Sequence, residues 1–566
     1  MLRLTAYSFY SRIFKILLSI SIVVSLFLII KAFNTYAFSV TTAVLVGNEA
    51  PGFTVQPFED PVSSTTTPTN VGSNTIFKAT AIDTNEDNYY LIICSTNSVT
   101  PVNGSAPTCG ATTWCTSTAT LSGTQASCNR TALIGDSTSN VWYAFVCDAN
   151  SSAQCSTSSQ GSGDSGSPFE VNHAPEFSAV SNDDGSGVNP GATVTWSTTA
   201  SDSDSDTIKL LVCKTSGITG DTCDGGAGDT WCSSSFVASN PSCGYNIPSV
   251  YPDDTYSAYV YIVDEHNFPA TSIYQASDVS FVVNNVAPTL STITINGGSN
   301  IDLLESTTKE VVLTATVTDN NSCYGGEIDS TLAYVYRSSI GYTGCDTLEE
   351  ANKNNCYPEI TCTVVGGSCT DITDGSANYT CTANIQYYAD PTDLLTQFPD
   401  DTWLDTIKVL DDDGSDDELE VGTGVEINSL TAFTVTNSIN FGSLAVEQSN
   451  DPLDKITTTT PTGNVGIDHE VSGAANMCTD YPTCSSGTPI GVAYQKYSLT
   501  ALTSYASGAV LSTTPVETEL NVPKVTTGTP VTKDTWWGIL IPTGTIPGAY
   551  SGANTLTAVK GEILEW

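Results

Sequence analysis

The residues of this chain best suited to chemistry are a serine flanked by glycines, three histidines, alternating runs of aspartate and eighteen cysteines. Ser165, in Gly163-Asp164-Ser165-Gly166-Ser167-Pro168, has the small neighbours of an acyl-transfer nucleophile. That chemistry requires a histidine base oriented by a buried carboxylate. His173, His266 and His469 are the only histidines, and none sits in an Ala-Ala-His-Cys-like context. The segment is a Ser/Gly stretch standing opposite Ala276-Ser277-Asp278-Val279-Ser280 of a second repeat, so it reads as a loop. Zinc hydrolysis lacks its ligands, because no two histidines are four residues apart. The chain is therefore expected not to be an enzyme.

The aspartates suggest a different chemistry. Asp202, Asp204 and Asp206 alternate with serines, Asp411-Asp412-Asp413-Gly414-Ser415-Asp416-Asp417-Glu418 is a dense run, and Asp183-Asp184-Gly185 opens a repeat. Calcium takes six to eight oxygens from carboxylates and carbonyls, which short acidic loops supply. Asp202, Asp204, Asp206, Asp411 and Asp413 are thus the candidate calcium ligands, and calcium is the only cofactor the sequence suggests. Neither run has the spacing of an EF-hand loop, and solvated turns are the competing reading. Nothing ties two of these carboxylates to an aromatic-lined cleft of the kind a glycosidase needs.

The cysteines fall in even groups: 94, 109, 115, 128, 147 and 155; 213, 223, 232 and 243; 323, 345, 356, 362, 369 and 381; 478 and 484. No paired C-x-x-C framework is present, so structural disulfides in an oxidising compartment are expected. Cys147 and Cys155 occur in the first repeat and are missing together from the second, which predicts a bridge between them. For the four cysteines shared by the two repeats, three connectivities are open. Neighbour pairing is preferred: Cys94 with Cys109, Cys115 with Cys128, Cys213 with Cys223, and Cys232 with Cys243. Cys478 and Cys484 form the last group.

The elements that must position these residues are strands. Ala50-Pro51, Ala174-Pro175 and Ala287-Pro288 punctuate the chain at spacings of 124 and 113 residues, close to one β-sandwich each. The first two units align in detail: Leu91-Ile92-Ile93-Cys94 with Leu210-Leu211-Val212-Cys213, Trp114-Cys115 with Trp231-Cys232, and Phe169-Glu170-Val171-Asn172 with Phe281-Val282-Val283-Asn284. Runs such as Ala258-Tyr259-Val260-Tyr261-Ile262-Val263 are β-branched and aromatic between Asn, Asp, Gly and Ser turns. The expected fold is all-β, with tandem sandwiches over 38–173, 174–286, 287–437 (with a long insertion) and 438–566. Of the neighbouring Trp536 and Trp537, one ring is expected in the core and the other half exposed.

Charge and address complete the reading. With 17 Lys+Arg against 60 Asp+Glu, the net charge is −43, which excludes a nucleic-acid backbone binder and docking on anionic lipid heads. Arg3, Arg12 and Lys15 precede an apolar run from Ile16 to Ile30, and Thr35-Tyr36-Ala37 offers a cleavage site. Residues 1–37 read as a signal peptide or N-terminal membrane anchor, so the remainder is expected outside the plasma membrane. Asn-x-Ser/Thr sites at Asn103, Asn129, Asn150, Asn320 and Asn378 are treated as unused.

The Ala-Pro starts and the acidic turn Ala200-Ser201-Asp202-Ser203-Asp204-Ser205-Asp206 resemble bacterial Ig-like and cadherin-like repeats. The Trp-Cys and Ser-Cys pairs and the closing Trp-x-Ile-x-Ile-Pro-Thr-Gly segment resemble cysteine-rich surface proteins of candidate-phyla bacteria. The resemblance spans most of residues 50–566, with serines where Pro and Gly are usual and a looser match in the third and fourth units. It implies extracellular β-sandwich modules in series at the cell surface and carries no catalytic residues. The expected function is a structural or adhesive surface protein. Its expected partners are surface or wall components, further copies of itself, or ligands on a neighbouring or host surface. The alternative is an array of modules binding a polysaccharide or protein, and a secreted hydrolase is the remote one.

Overall fold

The computed structural model describes residues 43–566, so the predicted signal or anchor lies outside the described residues. The chain divides into two compact units, one ending at Val171 and one running from Asn172 to Trp566. Among the described residues there is no α-helix; strands alternate with turns and short 3-10 segments.

In the first unit, Asn74–Ile82 buries every second residue, as a strand with one face on a core must. It lies between Gly52–Asp60 and Gln125–Thr131, while Tyr89–Cys94 lies between Tyr143–Asp148 and Thr113–Thr116. Phe77, Trp142 and Phe169 are fully buried between these sheets, with Trp142 edge-on to Phe77 at 5.2 Å. Thr193–Ser201 of the second unit repeats the alternation. It pairs with Glu176–Asn182 and Ser242–Asn246, facing a sheet built around Ile208–Cys213 and Tyr259–Asp264. Trp196 and Phe281 fill that core.

The third sandwich departs from two separate sheets. Its seven strands follow one continuous order: Thr289–Ile295, Thr308–Thr318, Ser376–Gln386, Cys356–Val364, Ile328–Arg337, Trp403–Asp411, Asp416–Glu420. Cys356–Val364 makes the continuity, pairing with Leu332–Tyr336 through its first half and with Tyr379–Cys381 through its second. The fourth packs a five-stranded sheet, with Lys455–Pro461 and Lys533–Ile539 at its centre, against a three-stranded one centred on Ile467–Gly473.

All eighteen cysteines are paired. The bridges are 94–109, 115–128, 147–155, 213–223, 232–243, 323–369, 345–356, 362–381 and 478–484. Each stays within one sandwich. Nine disulfides belong with an oxidising compartment.

Candidate functional site

One arrangement of side chains is built three times, where the chain enters each of the first three sandwiches. An asparagine three residues before the Ala-Pro proline donates through Nδ2 to an aspartate that ends a strand: Asn48 to Asp148 (2.7 Å), Asn172 to Asp264 (2.9 Å) and Asn285 to Asp411 (3.0 Å). The following backbone N–H donates to a short loop side chain: Glu49 to Asn85 (2.9 Å), His173 to Asp204 (2.6 Å) and Val286 to Asn321 (2.6 Å). That loop is held by its own first aspartate, because Asn85, Asp204 and Asn321 each donate their backbone N–H to Asp83, Asp202 and Asp319 at 2.7 Å. The strand-end aspartates also accept a backbone N–H from the turn beyond them: Asn150, His266 and Ser415. Each clasp thus joins a linker to two loops of the sandwich that follows.

The entry to the fourth sandwich uses a variant. Asn464 accepts the Leu430 N–H at 2.7 Å and donates to the Asn428 carbonyl at 3.2 Å, as Asn321 accepts from Val286 and donates to the Asn284 carbonyl at 3.0 Å.

The clasps place the predicted calcium ligands unequally. Oxygens of Asp202, Asp204 and Asp206 lie within 4.8 Å of one another, and Asp206 forms a second such group with Glu265 and His266. His173 Nδ1 is 3.0 Å from both Asp204 oxygens, and His266 Nε2 is 3.6 Å from Asp206. Among the described residues, Asp411 and Asp413 join no such group. The Asp411 carboxylate is occupied by Asn285 Nδ2 and the Ser415 N–H, while Asp413 faces Asp253 of the second sandwich, which also faces Glu327.

The carboxylates around the clasps are buried and crowded. Asp83 Oδ2, Asp202 Oδ2 and Asn48 Oδ1 are buried with no hydrogen-bond partner among the described residues. Burial, reinforced by Asp206, Asp204 and Asp264, pushes Asp202 up to about 6. Burial likewise pushes Asp319 up to about 6, and burial together with Asp253 pushes Glu327 up to about 8. Carboxylates crowded in this way resist ionisation unless positive charge is supplied. A hard divalent cation with oxygen ligands fits that donor set.

The sequence reading passed over Asn48, Asn172 and Asn285 and their aspartate partners Asp148, Asp264 and Asp411 in this role. A usable signal was present, since each asparagine stands at the same distance before its Ala-Pro proline. Substituting Asn285→Ala is expected to leave Asp411, only 3% exposed, short of one donor, at a cost of about 1–3 kcal/mol. Hydrogen exchange at the Val286 amide would report it, accelerating roughly tenfold for each 1.4 kcal/mol. Unchanged exchange would show that the clasp does not hold the linker.

No protein-family model matches this chain, and no curated protein matches it. Among solved structures, a marsupial T cell receptor is similar over 65% of this chain and 99% of its own, at 10% identity and a TM-score of 0.27. A structure described as showing host cell surface retention of a 1.5-MDa bacterial ice-binding adhesin is similar over 66% and 97%, at 14% identity and a TM-score of 0.20. The all-β architecture rests on the chain's own strands and not on these likenesses.

Ser165 ends the 3-10 turn Gly163–Ser165, in a unit whose sequence contains no histidine. His469 is fully buried, neither ring nitrogen has a hydrogen-bond partner among the described residues, and its ring is tilted 38° to that of Phe433 at 4.6 Å. Trp537 is fully buried and donates to Thr457, while Trp536 is half-buried. A cavity of about 610 Å³ in the fourth sandwich is lined by Phe441, Leu444, Ile490, Ile541, Ile546 and Tyr550, among others.

Proposed function

We propose that this chain is an exported, non-catalytic surface protein whose disulfide-braced sandwiches act in series as a structural or adhesive element, with calcium at the linker clasps. The observation that carries the reading is the clasp itself, repeated at three linkers by different residues in the same roles. A linker fixed by hydrogen bonds to two loops resists bending, which suits a protein that holds a surface away from its attachment point. The net charge of −43 keeps neighbouring copies apart or lets divalent cations bridge them. Asp202, Asp204 and Asp206 would supply carboxylate ligands at the second sandwich. The partners proposed are wall or surface components, other copies, or ligands on a facing cell.

A second reading, a binding array, draws on the cavity in the fourth sandwich. Its lining suits an apolar group better than a sugar, since no stacked aromatic platform is among the residues named.

Protease treatment of intact cells should release peptides of residues 50–566 with their cysteines oxidised. Recovery of reduced chain from the cytosol would end the proposal. In purified protein, calcium at a hundredfold excess over Kd is expected to stabilise the second sandwich by about 2.7 kcal/mol, measured by scanning calorimetry. The double substitution Asp202→Asn, Asp204→Asn should abolish that shift. A transition indifferent to both calcium and chelator would remove the metal from the proposal.

A further inference from the structure

The contact between the third and fourth sandwiches contains a buried lysine, Lys524, held by groups of both. Lys524 follows the strand Val516–Val522, and its side chain is 4% exposed, under a small apolar cluster of Tyr387, Tyr388 and Val525. Its Nζ lies 2.9 Å from Oδ1 of Asn354 and 3.0 Å from Oδ1 of Asp390, and it also reaches the carbonyls of Tyr388 (2.8 Å) and Val525 (3.2 Å). Asn354 belongs to the third sandwich and is held from several sides. Its Nδ2 donates to Asn352 Oδ1 (2.9 Å) and to the Thr526 carbonyl (2.8 Å), and its own carbonyl accepts the Asp390 N–H (2.8 Å). Asp390 is 8% exposed at its side chain, and its second oxygen is 3.3 Å from Arg337 Nε.

We propose that Lys524 and Asn354 join in an isopeptide bond that covalently links the third sandwich to the fourth, with Asp390 as the proton carrier. An amine within hydrogen-bond reach of both a carboxamide oxygen and a carboxylate, fixed by packing, forms an intramolecular acyl-transfer site. Holding reactants at such distances replaces a bimolecular encounter and removes much of the barrier. Burial lowers the Lys524 pKa against the opposing pull of Asp390, which favours the neutral, nucleophilic amine.

The step balances without an oxidant or cofactor. Asp390 takes one proton from the Lys524 ammonium, and the freed lone pair attacks Cγ of Asn354, forming the Nζ–Cγ bond and a tetrahedral intermediate. The attacking Nζ gives its extra proton to Nδ2, the Cγ–Nδ2 bond breaks, and ammonia leaves. Asp390 passes the proton it took to water or to the departing ammonia. The product is a secondary amide in which Asp390 again faces an N–H.

The proposal does not depend on where the chain resides or what it binds. The test is the mass of the full-length exported chain after reduction and alkylation of its disulfides. The expected result is a chain one ammonia lighter than its sequence, yielding on digestion a branched peptide that joins the Asn354 and Lys524 segments. Lys524→Arg, which keeps the cation but cannot acylate, should restore the full mass, as should Asp390→Asn. A wild-type chain of full mass with free Lys524 would overturn the proposal and leave Lys524 as a buried ammonium. So would loss of ammonia with Lys524 still unmodified, as a succinimide would give. The wild-type measurement decides the matter even if a variant fails to fold.

Discussion

Removing the Cys323–Cys369 bridge by a double serine substitution is expected to cost the third sandwich about 4 kcal/mol, against about 2 kcal/mol for removing Cys478–Cys484 from the fourth. The difference follows from the chain closed by each bridge, a sequence separation of 46 residues in the first case and 6 in the second. A longer tether removes more freedom from the unfolded chain. The long bridge also sits beside a clasp: the Cys323 N–H donates to the Asp374 carbonyl and the Asp319 N–H to the Gly375 carbonyl, so it braces the loop that Asn321 uses to hold its linker. Calorimetry of each variant should therefore lower one transition and leave the other in place. Equal and small losses would mean that the strands alone stabilise these sandwiches, and the disulfide-braced reading would lose its physical basis.

A second large effect is expected from pH, with opposite sign in the third and fourth sandwiches. Asp405 is fully buried on the strand Trp403–Asp411, and neither side-chain oxygen has a hydrogen-bond partner from another described residue. Burial pushes it up to about 7, with Glu420 adding to the rise. Between that value and the ordinary value near 4, the folded protein holds a proton that the unfolded chain releases. Stability attributable to Asp405 is therefore gained as pH falls through 7 and lost as pH rises, by roughly 4 kcal/mol across the window. His469 behaves in reverse. Burial lowers it to about 4, so between about 6.5 and 4 the unfolded chain binds a proton that the folded protein refuses. Its contribution is fully present above the unfolded value and fades on acidification, by roughly 3 kcal/mol.

Scanning calorimetry in chelator at pH 7.5 and pH 5 should show the third sandwich rising and the fourth falling. Asp405→Asn should flatten the first trend, and His469→Leu should abolish the second. Transitions that move together, or that keep their slopes in these variants, would show that other groups set the pH response.

Much of the architecture was legible in the residues because β-structure writes itself locally. Alternation over Asn74–Ile82 and Thr193–Ser201 assigns one face to a core whatever that core contains, and the duplicated Trp-Cys and Ser-Cys pairs mark equivalent strands. The third sandwich was harder to read. Whether Cys356–Val364 belongs to one sheet or two depends on partners at both ends, Leu332 to Tyr336 and Tyr379 to Cys381, and no local pattern expresses that choice.

The candidate site was half visible for the same reason. Asp202, Asp204 and Asp206 stand out because they are neighbours in the chain. Asp264, buried and one bond away from Asn172, does not, since it lies 92 residues further on and looks like any aspartate ending a strand. Asp411 and Asp413 illustrate the converse. Their proximity in sequence suggested a shared ligand, yet one is taken up by the linker and the other faces Asp253.

The amino-acid sequence by itself determined the strand-rich composition, the repeat spacing and the surplus of negative charge, because periodicity, composition and turn chemistry act between near neighbours. Only the tertiary structure decided which asparagine meets which aspartate at each linker, and which lysine is buried against a carboxamide. Those encounters are set by how whole sheets pack, and they bring together residues as much as 170 positions apart.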